Sequence, residues 1–311
     1  MRCIPGIKGT MFFSIILLSI VLSTATAEDS IQYLPLAKYD HLSLNAQQIN
    51  SAGGGLVIVS DEVFFAGIYT NHSLRTSPAP GYPDNYHAIE LILDGKIDRH
   101  GYLAILQSVS DEPVYGGLHT FQAALAYSYE LMATDHLSLA LGAGLAMSDF
   151  GMELANGDTW PILPVPLVRL SFMSRIVDLK FEFITGPNVN FVLAPDGRIR
   201  FLGDFRMDEF QDIRDVIFEC ALEYRLFPAG HPLGELAGIS AGIKSDRLSF
   251  APALNGENHD VHYYALFGRL DLSLLNISAG YVLDSAQILR KEESLDAGNG
   301  FFITIQAVLP L

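Results

Sequence analysis

Apolar and polar residues alternate along most of this chain with a period of two, in stretches of about ten residues separated by turns. In the run from Val216 to Leu226, Val216, Phe218, Cys220, Leu222, Tyr224 and Leu226 share one face, and Ile217, Glu219, Ala221, Glu223 and Arg225 share the other. Phe121, Ala123, Leu125, Tyr127, Tyr129 and Leu131 alternate in the same way with Gln122, Ala124, Ala126, Ser128 and Glu130. The stretches Leu137 to Met147 and Val177 to Phe183 repeat the pattern, and the helical period of 3.6 fits none of them. The pattern predicts an all-β chain built from strands with one apolar face and one small or polar face.

Short and long connections alternate between these strands. Short turns are predicted at Asp98 to His100, Thr134 to His136, Ser174 to Arg175, Asp208 to Asp212, Ser245 to Asp246 and Ser273. Longer loops fall at Asn71 to Asn85, Asp111 to Gly117, Asp149 to Trp160, Gly186 to Arg198, Phe227 to Glu235, Ala251 to Asp260 and Asp284 to Gly298. Tight turns on one side and long loops on the other are the asymmetry of bacterial outer-membrane barrels. The expected fold is a closed antiparallel transmembrane β-barrel of about fourteen strands, with twelve as the alternative if the short stretch Arg247 to Ala251 is lost as a strand and another is merged. An even number places both chain ends on the same, periplasmic side.

Composition supports a membrane setting. Arg2 and Lys8 precede an apolar stretch from Met11 to Leu22, followed by Ala25-Thr26-Ala27, so residues 1–27 read as a secretory signal peptide. Residues 28–54 show no sustained alternation and are expected as a periplasmic lead-in, which leaves 55–311 for the barrel. Cys3 falls within the signal and leaves Cys220 alone, so no intramolecular disulfide is expected. The formal net charge of −16 becomes −18 without Arg2 and Lys8, an acidity that argues against a nucleic-acid partner. A mean hydropathy of +0.27 with 17% charged residues is too apolar for an ordinary exported soluble domain. After residue 27 no apolar stretch reaches the ~18 residues of a spanning helix. A soluble β-sandwich would need polar outer faces, whereas the second face here is often small, as at Gly238, Ser240, Gly242, Ser278 and Gly280.

The signal, the alternation, the loop asymmetry and the terminal strand Phe301 to Leu311 together resemble bacterial single-chain outer-membrane β-barrels over about residues 55–311. The run Thr159 to Phe172 is similar to the proline-rich strand of an uncharacterised family of such barrels, which carries no assigned activity. The resemblance implies a place in the bacterial outer membrane, with lipid around the barrel and insertion machinery as a partner during biogenesis. It also implies that the last strand, with Phe301, Ile303, Ile305, Ala307, Leu309 and Leu311 on one face, is the insertion signal. Leu311 stands where that class usually has an aromatic residue.

Candidate chemistry is sparse. Gly238 to Gly242 matches the G-x-S-x-G elbow and would make Ser240 a nucleophile with Asp260 and His262 downstream, but it lies inside an alternating stretch with no helix after it. His136 with Ser138, and His262 near Tyr263 and Tyr264, could serve a membrane-embedded lipid hydrolase only with an orienting third group. No enzyme is therefore expected, and the scattered histidines predict neither a metal site nor a cofactor.

Inward charge is the stronger signal. Asp178, Lys180 and Glu182, then Arg200, Asp204 and Arg206, then Glu219, Glu223 and Arg225 are expected to face the lumen from three successive strands, with Arg269 and Asp271 further round. Such a set reads either as a charged constriction for small polar solutes or as ion pairs bracing a narrow interior. Pro164 and Pro166 share one parity, so their missing N–H donors weaken one seam. That seam could be a lateral opening for an apolar ligand, or a bulge near the rim. The sequence thus predicts a passive pore for small solutes, with a structural or ligand-binding surface barrel as the alternative and a lipid hydrolase as the third reading.

Overall fold

The computed structural model describes residues 31–75, 84–112, 119–153, 159–184, 186–207, 216–227, 237–253, 257–272, 274–288 and 294–308. The expected signal peptide, residues 1–27, lies outside them. The described residues form one antiparallel sheet of seventeen strand segments. In chain order these are β1 (Gln32–Leu44), β2 (Gln48–Val59), β3 (Val63–Leu74), β4 (Asn85–Ile97), β5 (His100–Ser110), β6 (His119–Ala133), β7 (Leu137–Glu153) and β8 (Thr159–Met173). There follow β9 (Val177–Phe183), β10 (Pro187–Leu193), β11 (Ile199–Met207), β12 (Val216–Arg225), β13 (Ala237–Ala253), β14 (Glu257–Leu272), β15 (Leu275–Ile288), β16 (Ser294–Asp296) and β17 (Gly300–Val308). Each pairs with its sequence neighbours, and β1 pairs with both β2 and β17, so the sheet closes on itself.

The three-residue β16 pairs with the end of β15, while β17 pairs with its first half. They are one strand interrupted at Ala297 to Asn299, where Gly298 takes a φ of +78° that favours glycine. The barrel therefore has sixteen strands rather than fourteen or twelve.

Four local differences account for the count, the first being an unexpected turn at 60–62 that makes β2 and β3 separate strands. The segment expected as a periplasmic lead-in carries β1 and the start of β2. Its alternation is hidden because apolar residues stand on both faces: Tyr33 and Tyr39 point outward while Leu34, Leu36, Leu42 and Leu44 fill the interior on either side of Lys38 and Asp40. β10 falls in the predicted loop Gly186 to Arg198, because Asn188 and Asn190 read as turn residues yet face the lumen beside Glu182 and Lys180. The turn predicted at Ser245 to Asp246 is the middle of β13. There Asp246 pairs with Lys244 at 3.0 Å and Ser245 bonds His262 at 2.8 Å, so neither polar residue needs a solvated turn. Losing that turn reverses the direction of the preceding connections: the β11–β12 connection lies at the long-loop end, and the β12–β13 connection at the end carrying both termini.

The outer face is an apolar belt. Leu125, Tyr127 and Leu131 on β6, Ile239 and Ile243 on β13, and Tyr281 and Leu283 on β15 are exposed, as are Phe301, Ile303 and Ile305 on β17. No helix among the described residues is long and apolar enough to cross a membrane. Closing the ladder pairs the strand edges that would otherwise meet lipid, except along residues 159–167 of β8 on the side of β9, so the belt and the closure belong together.

The barrel is flattened, not round. β7 bends so sharply that β6 and β8 come within 8 Å of each other, Cα to Cα. At this corner the inner residues are Gly142, Gly144 and Ala146, and a Cβ on either glycine would overlap a carbonyl oxygen of β6. Leu103 and Ile105 on β5 meet Leu163, Val165 and Leu167 on β8 above that small-residue floor, forming a dry internal core. On the opposite wall β13 approaches β5 and β6 to within 8 Å. Stacked sheets normally sit about 10 Å apart, so only small side chains can face one another at such a spacing. Ser240 and Gly242 on β13, with Ala124 and Ala126 on β6, are of that size.

Candidate functional site

The interior divides into two unlike parts. Inner side chains on β1 to β5, β13 to β15 and β17 are mostly buried, whereas every inner residue of β9, β10 and β11 is partly or fully exposed. Three features set this up: the corner at β7, the approach of β13 to β5 and β6, and the seven-residue strands β9 and β10.

The packed part is ionic as well as apolar. Lys38 pairs with Asp40 at 2.9 Å on β1. Lys244 lies 3.0 Å from Asp246, 3.1 Å from the Tyr263 hydroxyl and 4.0 Å from the centre of the Phe302 ring. The Tyr263 hydroxyl in turn donates to Asp246 at 3.0 Å. Opposite charges, a donor hydroxyl and an aromatic face thus satisfy an ammonium group that is 8% exposed.

The predicted lumen charges all face inward, but their partners differ from a simple strand-to-strand ladder. β10 separates Asp178, Lys180 and Glu182 on β9 from Arg200, Asp204 and Arg206 on β11, so the two sets are not neighbours. Glu182 pairs with Arg169 of β8 at 2.8 Å, and the same guanidinium reaches Asp94 of β4 at 2.9 Å, bridging the flattened barrel near the end that carries the termini. Arg200 donates to Glu223 across the β11–β12 seam at 2.6 Å. Arg269 on β14 reaches over β13 to Glu219. Asp204 faces Glu219 in the ladder, with Arg206 and Arg269 within electrostatic reach. Arg225, at the terminal end of β12, is buried. Asp178 and Lys180 form no ion pair among the described residues, and Lys180 is exposed to the lumen.

Sequence reasoning missed Lys38, Glu90, Arg169, Lys244 and Asp246. Arg169 and Asp246 stand alone on otherwise apolar or turn-like stretches, and Lys38 lies in a segment not expected to be barrel. Their common signal, an inward parity, becomes readable only once register is known.

The proposed nucleophiles land in unsuitable places. Ser240 is buried in a flat stretch of β13, opposite Glu223 and Arg269 in the ladders and not beside His262. His262 bonds Ser245 instead, and that serine hydroxyl donates to the Val216 carbonyl at 3.1 Å, so the imidazole is the donor to Ser245, not its base. His136 is exposed in the turn before β7, and Ser138 donates to Glu130. In the lumen Ser51 bonds His72 at 2.7 Å with Asp40 opposite Ser51, an order that puts serine in the middle where a triad needs histidine. Among the described residues no three histidine, cysteine or acidic side chains gather as a metal set.

Pro164 and Pro166 face outward and are exposed. The β7–β8 ladder runs past both, pairing them with Leu145 and Ala143. On the other side, β8–β9 pairing stops at Val168, so residues 159–167 have no neighbour there among the described residues. On β17, Phe301, Ile303 and Ile305 point outward beside Ala307, while Leu309 and Leu311 lie outside the described residues.

No family model matches the chain, and no curated protein matches it. Among solved structures, the chain is similar to OccAB4 of Acinetobacter baumannii at 10% identity and a TM-score of 0.36, over 93% of this chain and 100% of that one. It is similar to outer membrane protein OmpT of Vibrio cholerae at 11% identity and a TM-score of 0.34, over 91% and 100%. A BenF-like porin from Pseudomonas fluorescens Pf-5 matches at 8% identity and a TM-score of 0.34, over 91% and 99%. Likenesses this distant decide nothing about substrate or mechanism. The closed ladder and the apolar belt are themselves those of a bacterial outer-membrane β-barrel.

Proposed function

We propose that the chain forms a passive pore for small polar solutes, which pass along the β9 to β11 side of a narrow lumen. The observation that carries this reading is the contrast in burial: among the described residues no inner side chain of those three strands is buried, whereas every other strand of the barrel buries at least one. Most of the charge in the interior is paired and braces the flattened wall. Selectivity then falls to the groups without ion pairs, Asp178 and Lys180, beside the neutral Asn188 and Asn190.

Planar-bilayer recording tests the pore. Wild-type protein conducts, and Lys180→Glu raises the cation-to-anion permeability ratio about threefold by reversing an unpaired charge on the path. No conductance above background from a barrel shown to be folded sinks the proposal. The outward alternation of β17 fits its use as the signal read by the insertion machinery.

One observation favours a second reading, a surface barrel that admits an apolar ligand sideways. The unpaired stretch of β8 is apolar on both faces, with Ile162, Pro164 and Pro166 outside and Leu163, Val165 and Leu167 inside. On this reading lipid or detergent co-purifies, and replacing both prolines by threonine reduces its amount at least by half without loss of the folded form. Unchanged lipid content removes the reading.

A further inference from the structure

We propose that Glu90, Gln107 and Gln122 form a binding site for neutral, polyhydroxylated solutes on the inner wall of β4 to β6. This deepens the pore reading by naming a substrate class, and rests on it only for how the solute arrives.

The three residues stand side by side. Glu90 faces Gln107 in the β4–β5 ladder, and Gln107 faces Gln122 in the β5–β6 ladder. Neighbouring strands lie about 4.8 Å apart, a spacing that vicinal or alternate hydroxyls can bridge. The Gln107 amide nitrogen donates to Glu90 Oε1 at 3.4 Å, which fixes the orientation of that amide and turns its carbonyl away from the carboxyl. Three oxygens are then buried without a partner: Glu90 Oε2, Gln107 Oε1 and Gln122 Oε1. Gln107 and Gln122 are only 7% and 6% exposed. Buried acceptors left unmade are costly, and three in a row on adjacent strands point to donors supplied from outside the chain.

The chemistry of the row selects the ligand. Every unpartnered atom is an acceptor, so an anion would bring lone pairs against lone pairs. A metal ion is disfavoured because two of the three groups are neutral amides, and Lys38 and Arg206 lie within electrostatic reach of Glu90. Hydroxyl donors on an uncharged solute meet all three oxygens without that repulsion. On β6 the row is followed two and four residues along by the small inner residues Ala124 and Ala126.

The folded barrel in detergent micelles is titrated calorimetrically with glycerol, sorbitol and glucose, with glucuronate as the anionic comparison. Sorbitol or glucose binds saturably and glucuronate does not. Replacing both glutamines, Gln107→Leu with Gln122→Leu, weakens binding about tenfold or more. The same variant keeps its heat-modifiable migration, because apolar side chains replace unpaired buried amides. If that pair of changes prevents folding, Gln122→Met alone is read for the same loss. The site is overturned if no polyol binds the wild-type protein, if the variants bind as well as the wild type, or if glucuronate binds as tightly as glucose. A barrel that binds sorbitol but carries no current overturns the pore and leaves the site standing. One that conducts without binding overturns the site alone.

Discussion

Valine in place of Gly142 is expected to abolish the folded barrel, while valine in place of the adjacent Ala143 leaves it intact. Gly142 is on the inner face of β7 at the sharpest corner of the wall. A Cβ there would overlap the Tyr127 carbonyl oxygen and lie 2.7 Å from the Ser128 Cα. Both atoms belong to backbone held by the β6–β7 ladder, so neither can move without opening the seam. Overpacking against a fixed neighbour costs about 3 kcal/mol or more, enough to tip a barrel of ordinary stability. Ala143 points the other way, exposed in the apolar belt opposite Pro166. Two methyl groups added there meet lipid. The measurement is the heat-modifiable fraction on a gel after refolding, expected below about a tenth of wild type for Gly142→Val. Equal folded yields for the two variants would show that the corner is looser than its geometry.

Removing Glu223 is the next largest effect. Its side chain is 7% exposed and that of its partner Arg200 is 16% exposed, so Glu223→Leu strands a guanidinium in a poorly hydrated wall. Breaking one partner of a buried pair costs about 3 to 5 kcal/mol. The water on the β11 side argues for the lower end. Replacing both residues, Arg200→Met with Glu223→Leu, recovers most of the loss, because no charge is then left uncompensated. Urea midpoints in lipid or micelles read the difference. A Glu223→Leu shift of less than about 1 kcal/mol would place the pair among solvated surface contacts.

The comparison matters for the pore because the lumen charges serve two purposes. Arg200 with Glu223, Glu219 with Arg269, and Arg169 with Glu182 and Asp94 hold a flattened wall together. Asp178 and Lys180, without such partners, can act on a passing ion. Stability should therefore respond to the first group, and selectivity to the second.

The sequence by itself determined that the chain is an all-β barrel with a lipid-facing belt, because period two is set by backbone geometry and survives any register. It also determined which charged residues on β9, β11 and β12 point inward, since parity follows from the same period. Where the inner side chains are partly exposed, as along β9 and β11, the inner face is polar and the strands could be read directly. Where the interior is packed, as along β1, apolar residues stand on both faces and the strand was hidden.

Only the tertiary structure decided the strand number, the partners of the charges and the row of buried oxygens on β4 to β6. Glu90, Gln107 and Gln122 lie on three consecutive strands, and without the register nothing local marks them as a row. Their alignment depends on register, and the approach of β13 to β5 and β6 on glycine, alanine and serine side chains small enough to permit it. Contacts made by closing a sheet on itself are nonlocal, and a pattern of period two is the same before and after closure.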